Sequence, residues 1–97
     1  MYAVTYKNIL RPDKKKADYE AWQKSVWAVQ KRWGATSFKI WPENENDSRV
    51  LFCRYLVKDL NRWNKSAMSP EAEPLVRSLS DVVEINRIAL AIEPLPS

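Results

Sequence analysis

The sequence has 97 residues, and its 45% apolar and 29% charged residues are the balance of a globular domain rather than of a disordered chain. A net charge of +4 without a basic stripe interleaved with stacking aromatic residues does not predict a nucleic-acid partner. One cysteine and no histidine exclude an internal disulfide, a cysteine zinc site, a Ser-His-Asp triad and a histidine haem ligand.

The length predicts a single domain over residues 1–97, because a second hydrophobic core would not fit. No stretch approaches the roughly 20 apolar residues that cross a bilayer, and the N-terminal segment lacks the basic-then-apolar order of a signal peptide. We therefore expect a cytoplasmic protein without a membrane partner, and the lone Cys53 suits a reducing compartment.

A strand followed by a long helix opens the chain. Residues 2–10 are rich in β-branched and aromatic side chains and predict the strand, and Asp13 is the expected helix cap. Residues 13–33 predict the helix, since apolar residues recur at spacings of three and four and Gly34 follows as a left-handed cap. The apolar stripe consists of Tyr19, Trp22, Val26, Val29 and Trp33. Trp27 lies off this stripe, which suggests a subunit contact or a ligand wall.

Two strands joined by a polar loop follow the helix. Residues 36–41 alternate as a strand, residues 42–48 are turn-prone, and residues 49–57 form a third strand. The third strand carries apolar side chains on both faces, which is typical of a central strand covered on both sides. One face holds Val50, Phe52 and Leu56, with Arg54 between them, and the other holds Leu51, Cys53, Tyr55 and Val57.

The C-terminal part predicts a second helical region and a fourth strand. Helical spacing begins near residue 58, and Ser69 with Pro70 marks a new helix start. Pro74 falls at the first-turn boundary and is expected to break or delay that helix. Residues 82–92 alternate as a strand whose phase changes across residues 86–87, which indicates a bulge.

The order of elements predicts an α+β fold, with a four-stranded antiparallel sheet and both helices on one face. The opposite face would then have no helix over it, although it would carry apolar side chains from Trp41 and from one side of the third strand. We assign Leu51, Cys53 and Tyr55 to this bare face together with Trp41. A symmetric homodimer stacked sheet to sheet would cover it.

Nearly the whole chain resembles the dimeric α/β-barrel superfamily of ferredoxin-like βαββαβ domains, which includes antibiotic-biosynthesis-type monooxygenases. The resemblance rests on diffuse patterns rather than on one strict motif. These patterns are Trp33-Gly34-Ala35, the segment from Asp47 to Leu51, Trp63-Asn64-Lys65-Ser66, and Ser69-Pro70-Glu71. Members include cofactor-free oxygenases of aromatic polyketides, haem-degrading oxygenases, and small proteins without assigned chemistry.

The haem-degrading branch fits this sequence poorly. That branch builds its pocket from a helical Trp, a strand-1 Asn and a downstream His. Trp63 and Asn8 resemble the first two, but the position expected for the His, near Glu73, holds none. Haem ligation in that manner is therefore not expected.

The resemblance to the cofactor-free oxygenases implies a site that needs neither metal nor cofactor. In that chemistry a phenolic substrate supplies its own electrons to O₂ within an aromatic pocket, and polar groups bind or deprotonate the substrate oxygen. The candidate pocket residues between sheet and helices are Trp63, Trp22, Tyr6, Phe52 and Tyr55, and the candidate catalytic residues are Asn64, Arg54 and Arg87.

Several of these residues also have plainer interpretations. Trp22 lies on the helix stripe and fits a core position, whereas Trp63 fits the core and a pocket wall equally well. Trp41 is better placed for a dimer interface than for a ligand contact. Arg54 within a strand suits a buried salt bridge, which could cross the dimer, better than catalysis, and Cys53 suits an inert buried thiol.

Three functions therefore stay open at the level of the sequence. The first is a cofactor-independent monooxygenase acting on a small aromatic or quinone-type molecule. The second is a non-catalytic dimeric module that binds a small ligand or takes part in a stress response. The third is a purely structural protein whose aromatic residues fill the core and the dimer seam and leave no cavity near Trp63.

Overall fold

The computed structural model describes residues 1–84 and 89–96. These residues form four strands, three α-helices and one short 3₁₀ turn. In chain order they are β1 (Tyr2–Ile9), α1 (Lys16–Arg32), β2 (Ala35–Asn44), β3 (Asp47–Val57), α2 (Leu60–Ala67), the 3₁₀ turn (Pro70–Ala72), α3 (Glu73–Leu79) and β4 (Ala89–Pro94). The predicted order of strands and helices is confirmed, and the second helical region is divided in two.

The four strands form one antiparallel sheet in the order β2-β3-β1-β4. This is the ferredoxin-like α+β arrangement that the sequence predicts. The three helices cover one face of the sheet, where residues of β1 and β3 form the core with the apolar stripe of α1. Among the described residues, no helix is long and apolar enough to pass through a bilayer. The cytoplasmic location stays a prediction.

Helix α1 begins three residues later than predicted. The backbone N–H of Lys14 donates to the carbonyl of Arg11 at 2.9 Å, so Pro12 and Asp13 belong to a turn. The side chain of Asp18 then accepts a hydrogen bond from the backbone N–H of Lys15 at 2.8 Å, which caps the N-terminus of the helix. At the other end, Gly34 adopts a φ of +103° and allows the chain to turn directly into β2, as predicted.

The predicted loop over residues 42–48 is too long. Strand β2 extends through Pro42 to Asn44, and only residues 45–46 form the turn before β3. The reason is topological, since β2 is an edge strand and proline is tolerated where one side of the strand has no partner.

The assignment of the two faces of β3 is wrong in the sequence-based prediction. Tyr55 pairs with Val4, and Cys53 pairs with Tyr6, so the Leu51-Cys53-Tyr55-Val57 side faces the helices and is fully buried. The opposite face, which we call the back face, carries Val50, Phe52, Arg54 and Leu56. Both sides of β3 are apolar, and only the register with β1 decides which one the helices cover.

Trp41 does lie on the back face, as predicted. Its ring stacks on Phe52 at 5.6 Å between centroids, and the guanidinium of Arg54 lies 5.7 Å from the Trp41 ring. Arg54 is exposed in the single chain and makes this cation–π contact, and a salt bridge across the dimer stays a prediction. Trp27 is half-buried and packs edge-on against Phe38 of β2 at 4.9 Å, and its role in a subunit contact stays a prediction.

Two prolines shape the segment after α2. Pro70 opens the 3₁₀ turn, and Pro74 lies in the first turn of α3. The predicted break at Pro74 is therefore confirmed as the boundary between the turn and the helix. The bulge predicted at residues 86–87 falls outside the described residues. The described part of β4 shows a register shift opposite Thr5 and Tyr6.

Candidate functional site

A cavity of about 270 Å³ lies between the sheet and the helices. Its volume is just below the range of pockets that hold drug-sized ligands, so it suits a smaller molecule. Side chains from β1, all three helices and the 3₁₀ turn line it. The lining residues are Tyr6, Trp22, Gln30, Trp33, Trp63, Ala67, Met68, Ala72, Leu75, Val76 and Leu79.

Trp63 forms the wall of the cavity next to the sheet. Helix α2 begins at its cap Asp59, which accepts a hydrogen bond from the backbone N–H of Arg62, and this geometry turns Trp63 inward. The indole N–H of Trp63 donates to the hydroxyl of Tyr6 at 2.9 Å. Its ring contacts Tyr55 at 5.1 Å and Trp33 at 5.8 Å between centroids. Trp63 is therefore at once a core residue and a cavity wall.

The other two tryptophans of the cavity also have bonded indole N–H groups. Trp22 donates to the carbonyl of Leu75 at 3.2 Å and to the hydroxyl of Ser78 at 3.0 Å. Trp33 donates to a carboxylate oxygen of Glu71 at 2.5 Å. The three indoles thus have protein partners for their donors, and they offer the cavity mainly their apolar ring surfaces.

A closed ring of hydrogen bonds lies behind the cavity. The hydroxyl of Tyr55 donates to Gln23 Oε1 at 2.5 Å, Gln23 Nε2 donates to Gln30 Oε1 at 2.5 Å, and Gln30 Nε2 donates to the Tyr55 hydroxyl at 3.2 Å. Both glutamine side chains are almost completely buried on α1. Each member donates once and accepts once, which sets the orientation of both amides.

The 3₁₀ turn is tied to the end of α1 through one carboxylate. Glu71 accepts from the indole N–H of Trp33 and forms an ion pair with Arg32 at 3.3 Å. The hydrogen bond from Trp33 lowers the pKa of Glu71 below its usual value of 4.5, and Arg32 lowers it further, although partial desolvation acts in the opposite direction. The contact holds the Trp33 wall of the cavity against the 3₁₀ turn.

We expect the stability that Glu71 contributes to depend on pH. Because its pKa is lower in the folded than in the unfolded chain, the contribution is present above about pH 4.5 and disappears as the pH falls through the folded-state pKa. Thermal unfolding of the wild type and of Glu71→Gln, followed between pH 7 and pH 3, tests this. The variant should be less stable at pH 7, and the two proteins should converge at low pH. A difference that is equally large at both ends would contradict the assignment.

Apolar side chains surround the outer end of the cavity. Met68, at the end of α2, is 88% exposed although it lines the cavity, and Val76 of α3 is half-exposed beside it. An outer groove shares these two residues with the cavity, together with Ala67 and Ala72. The cavity therefore opens to solvent between α2 and α3, and an apolar molecule would meet an apolar entrance.

Asn8, the strand-1 residue singled out by the resemblance, lies deep in the structure and is not among the cavity-lining residues. Its Nδ2 donates to the hydroxyl of Tyr19 at 3.1 Å. Its Oδ1 is buried and accepts no hydrogen bond from the described residues.

Three of the five predicted pocket residues line the cavity, namely Tyr6, Trp22 and Trp63. Tyr55 is fully buried behind Trp63 and Tyr6 and belongs to the hydrogen-bond ring rather than to the lining. Phe52 lies on the back face, so its predicted position between sheet and helices is wrong.

The three predicted catalytic residues are not brought together at the cavity. Arg54 is on the back face, and Asn64 is an exposed residue of α2 that is not among the lining residues. Arg87 lies outside the described residues. Their catalytic roles stay predictions.

Sequence reasoning did not single out Gln30 or the small and aliphatic residues of α2 and α3 as cavity residues. Gln30 lies on the buried side of α1, where it breaks an apolar pattern with a polar side chain. That irregularity was the available signal. Ala67, Ala72, Leu75 and Leu79 carry no chemical signal, and only the packing of the helices brings them to the cavity.

No family model matches the sequence, and no curated protein matches it. Solved structures match the fold. SnoaB of Streptomyces nogalater, described as a cofactor-independent oxygenase, aligns with a TM-score of 0.74 and 9% identity over 99% of this chain and 93% of that chain. The chain shares the fold of these structures.

Two further matches agree with this result. A Bordetella bronchiseptica protein, provisionally assigned as an antibiotic biosynthesis monooxygenase, aligns with a TM-score of 0.79 and 9% identity over 99% of this chain and 97% of that chain. A Nitrosomonas europaea protein with the same provisional assignment aligns with a TM-score of 0.69 and 16% identity over 97% of both chains. At these identities the likeness establishes the fold, and the resemblance seen in the sequence is confirmed at that level.

Proposed function

We propose that the protein is a cofactor-independent monooxygenase that acts on a small aromatic or quinone-type molecule held in the cavity beside Trp63. The observation that carries this proposal is the cavity itself, whose walls are the rings of three tryptophans and Tyr6. Flat aromatic molecules gain most from such walls through stacking and edge contacts. The shared fold with an enzyme described as a cofactor-independent oxygenase supports the same function.

The reaction requires no external reductant. A substrate CH₂ group activated by a phenolic ring loses a proton, and the resulting carbanion passes its electrons to O₂. One oxygen atom enters the substrate as a carbonyl and the other leaves as water, so that CH₂ and O₂ become C=O and H₂O. The protein would hold the ring in place and exclude competing solvent. Asn64 and Arg87 remain the predicted contacts for the substrate oxyanion, since Arg54 lies on the back face.

Oxygen uptake tests this function. The protein is incubated aerobically with a panel of anthrones and hydroxylated naphthalenes, and consumption of O₂ and formation of the carbonyl product are followed. Ala67→Trp should reduce turnover several-fold because the new indole fills the cavity, whereas Ala28→Trp, at an exposed position of α1, should leave it unchanged. Turnover no faster than in buffer across the panel would overturn the proposal.

One observation favours a second candidate, a non-catalytic module that binds a small apolar ligand. Among the described lining residues, Tyr6 is the only one whose side chain could act as a general acid or base, and none of them carries a carboxylate or an amine. In that case ligand would quench the tryptophan fluorescence and no product would form. The purely structural alternative required that no cavity lie beside Trp63, and the cavity found there contradicts it.

We further propose that two copies pair through their back faces. Val50, Phe52 and Leu56 are only half-buried there, and all three helices pack on the other side of the sheet. Stacking two such faces would bury the apolar strip of each copy in a symmetric contact. The partners proposed for this chain are thus a second copy of itself and a small aromatic ligand.

A further inference from the structure

The cavity holds one amide whose hydrogen-bonding capacity is only partly used. Gln30 lines the cavity and is 1% exposed, so its side chain is held away from bulk water. Its Nε2 donates one proton to the hydroxyl of Tyr55, and its Oε1 accepts from Gln23. An amide nitrogen carries two protons, so one N–H of Gln30 remains after the ring of hydrogen bonds is complete.

The other polar groups of the lining already have hydrogen-bond partners within the protein. The indole donors of Trp22, Trp33 and Trp63 have partners within the protein. The hydroxyl of Tyr6 accepts from Trp63. An oxygen atom on a ligand would therefore find a donor in the remaining N–H of Gln30, whose amide the ring holds in one orientation.

We propose that Gln30 is the specificity-determining residue of the cavity and donates a hydrogen bond to a carbonyl or phenolic oxygen of a flat aromatic ligand. This inference rests on the proposed function only in taking an aromatic ligand. It adds that Gln30 makes the cavity prefer oxygenated rings to plain hydrocarbons. A buried donor left without an acceptor costs free energy, so a hydrocarbon of the same shape binds more weakly. The lining carries no formal charge among its described residues, so the preferred ligand is neutral.

A matched pair of ligands isolates this contact. Fluorenone and fluorene have nearly the same shape and differ in one carbonyl group, and their dissociation constants can be measured by equilibrium dialysis. We expect the wild type to bind fluorenone about tenfold more tightly, the size of one well-placed hydrogen bond. Gln30→Met should reduce this ratio to about one, mainly by weakening the binding of fluorenone.

Gln23→Met is the matched control. Gln23 belongs to the same ring and the same helix but does not line the cavity. Its replacement leaves the hydrogen bond from Gln30 to Tyr55 in place, so the discrimination should fall less than in Gln30→Met. Thermal unfolding reports whether both variants lose similar stability. The role of Gln30 would be overturned if the wild type bound the two ligands equally, or if Gln30→Met left the ratio of their dissociation constants intact. Oxygen uptake would still test the proposed function independently. Binding of neither compound would overturn the aromatic ligand class and this inference with it.

Discussion

Replacing Trp63 by alanine is expected to lower the free energy of unfolding by about 3–5 kcal/mol, the usual cost of removing a large buried aromatic side chain. Trp63 is 2% exposed, contacts the rings of Trp33 and Tyr55, and donates a hydrogen bond to Tyr6. The existing cavity beside it would merge with the new void, so the neighbours could not collapse without moving α2. Guanidinium unfolding followed by circular dichroism measures the loss.

Two further variants keep the prediction testable if Trp63→Ala does not fold. Trp63→Phe keeps an aromatic ring and removes the indole N–H, and it should cost clearly less than the alanine variant. Trp27→Ala removes a half-buried tryptophan that packs only at the edge of the core, and it should also cost less. A loss below about 1 kcal/mol for Trp63→Ala would show that this wall does not support the fold.

Replacing Trp41 by aspartate is expected to convert a dimer into a monomer. In the proposed assembly the wild type sediments at twice the chain mass of 11.4 kDa at micromolar concentration. Trp41 lies on the edge strand β2 and stacks on Phe52 of β3 on the back face, so a carboxylate there would be buried against apolar side chains of the second copy. Analytical ultracentrifugation should then give the mass of one chain.

Met68→Asp is the control for this experiment. Met68 is the more exposed of the two apolar residues and lies at the cavity entrance, on the helical side of the sheet. Its replacement should leave the sedimentation of the dimer unchanged. A wild type that sediments as one chain, or a folded Trp41→Asp variant that still sediments as two, would contradict pairing through the back face.

The strongest local patterns of the sequence predicted their elements well. The spacing of Tyr19, Trp22 and Val26 gave the buried side of α1, and Gly34 marked its end. These predictions succeed because helix periodicity and a positive φ depend on residues close together in the chain. The start of α1 was misplaced by three residues, because Pro12 and Asp13 form a turn and the helix begins only after Lys15, whose backbone N–H donates to Asp18.

The candidate site was predicted only in part, for a physical reason. Tyr6, Trp22 and Trp63 could be chosen because aromatic side chains on inward faces are visible in the sequence. Gln30 and the lining residues of α2 and α3 acquire their role from the way the helices pack over the sheet, which leaves a gap next to Trp63.

By itself, the sequence determined the order of strands and helices and the absence of histidine-dependent chemistry. The tertiary structure decided which side of β3 the helices cover. Its two sides are both apolar, and a change of one residue in register would exchange them, so only pairing with β1 selects Leu51, Cys53 and Tyr55 for the core and leaves Phe52 outside. Long-range pairing, which no local pattern encodes, thereby placed one predicted pocket residue on the back face.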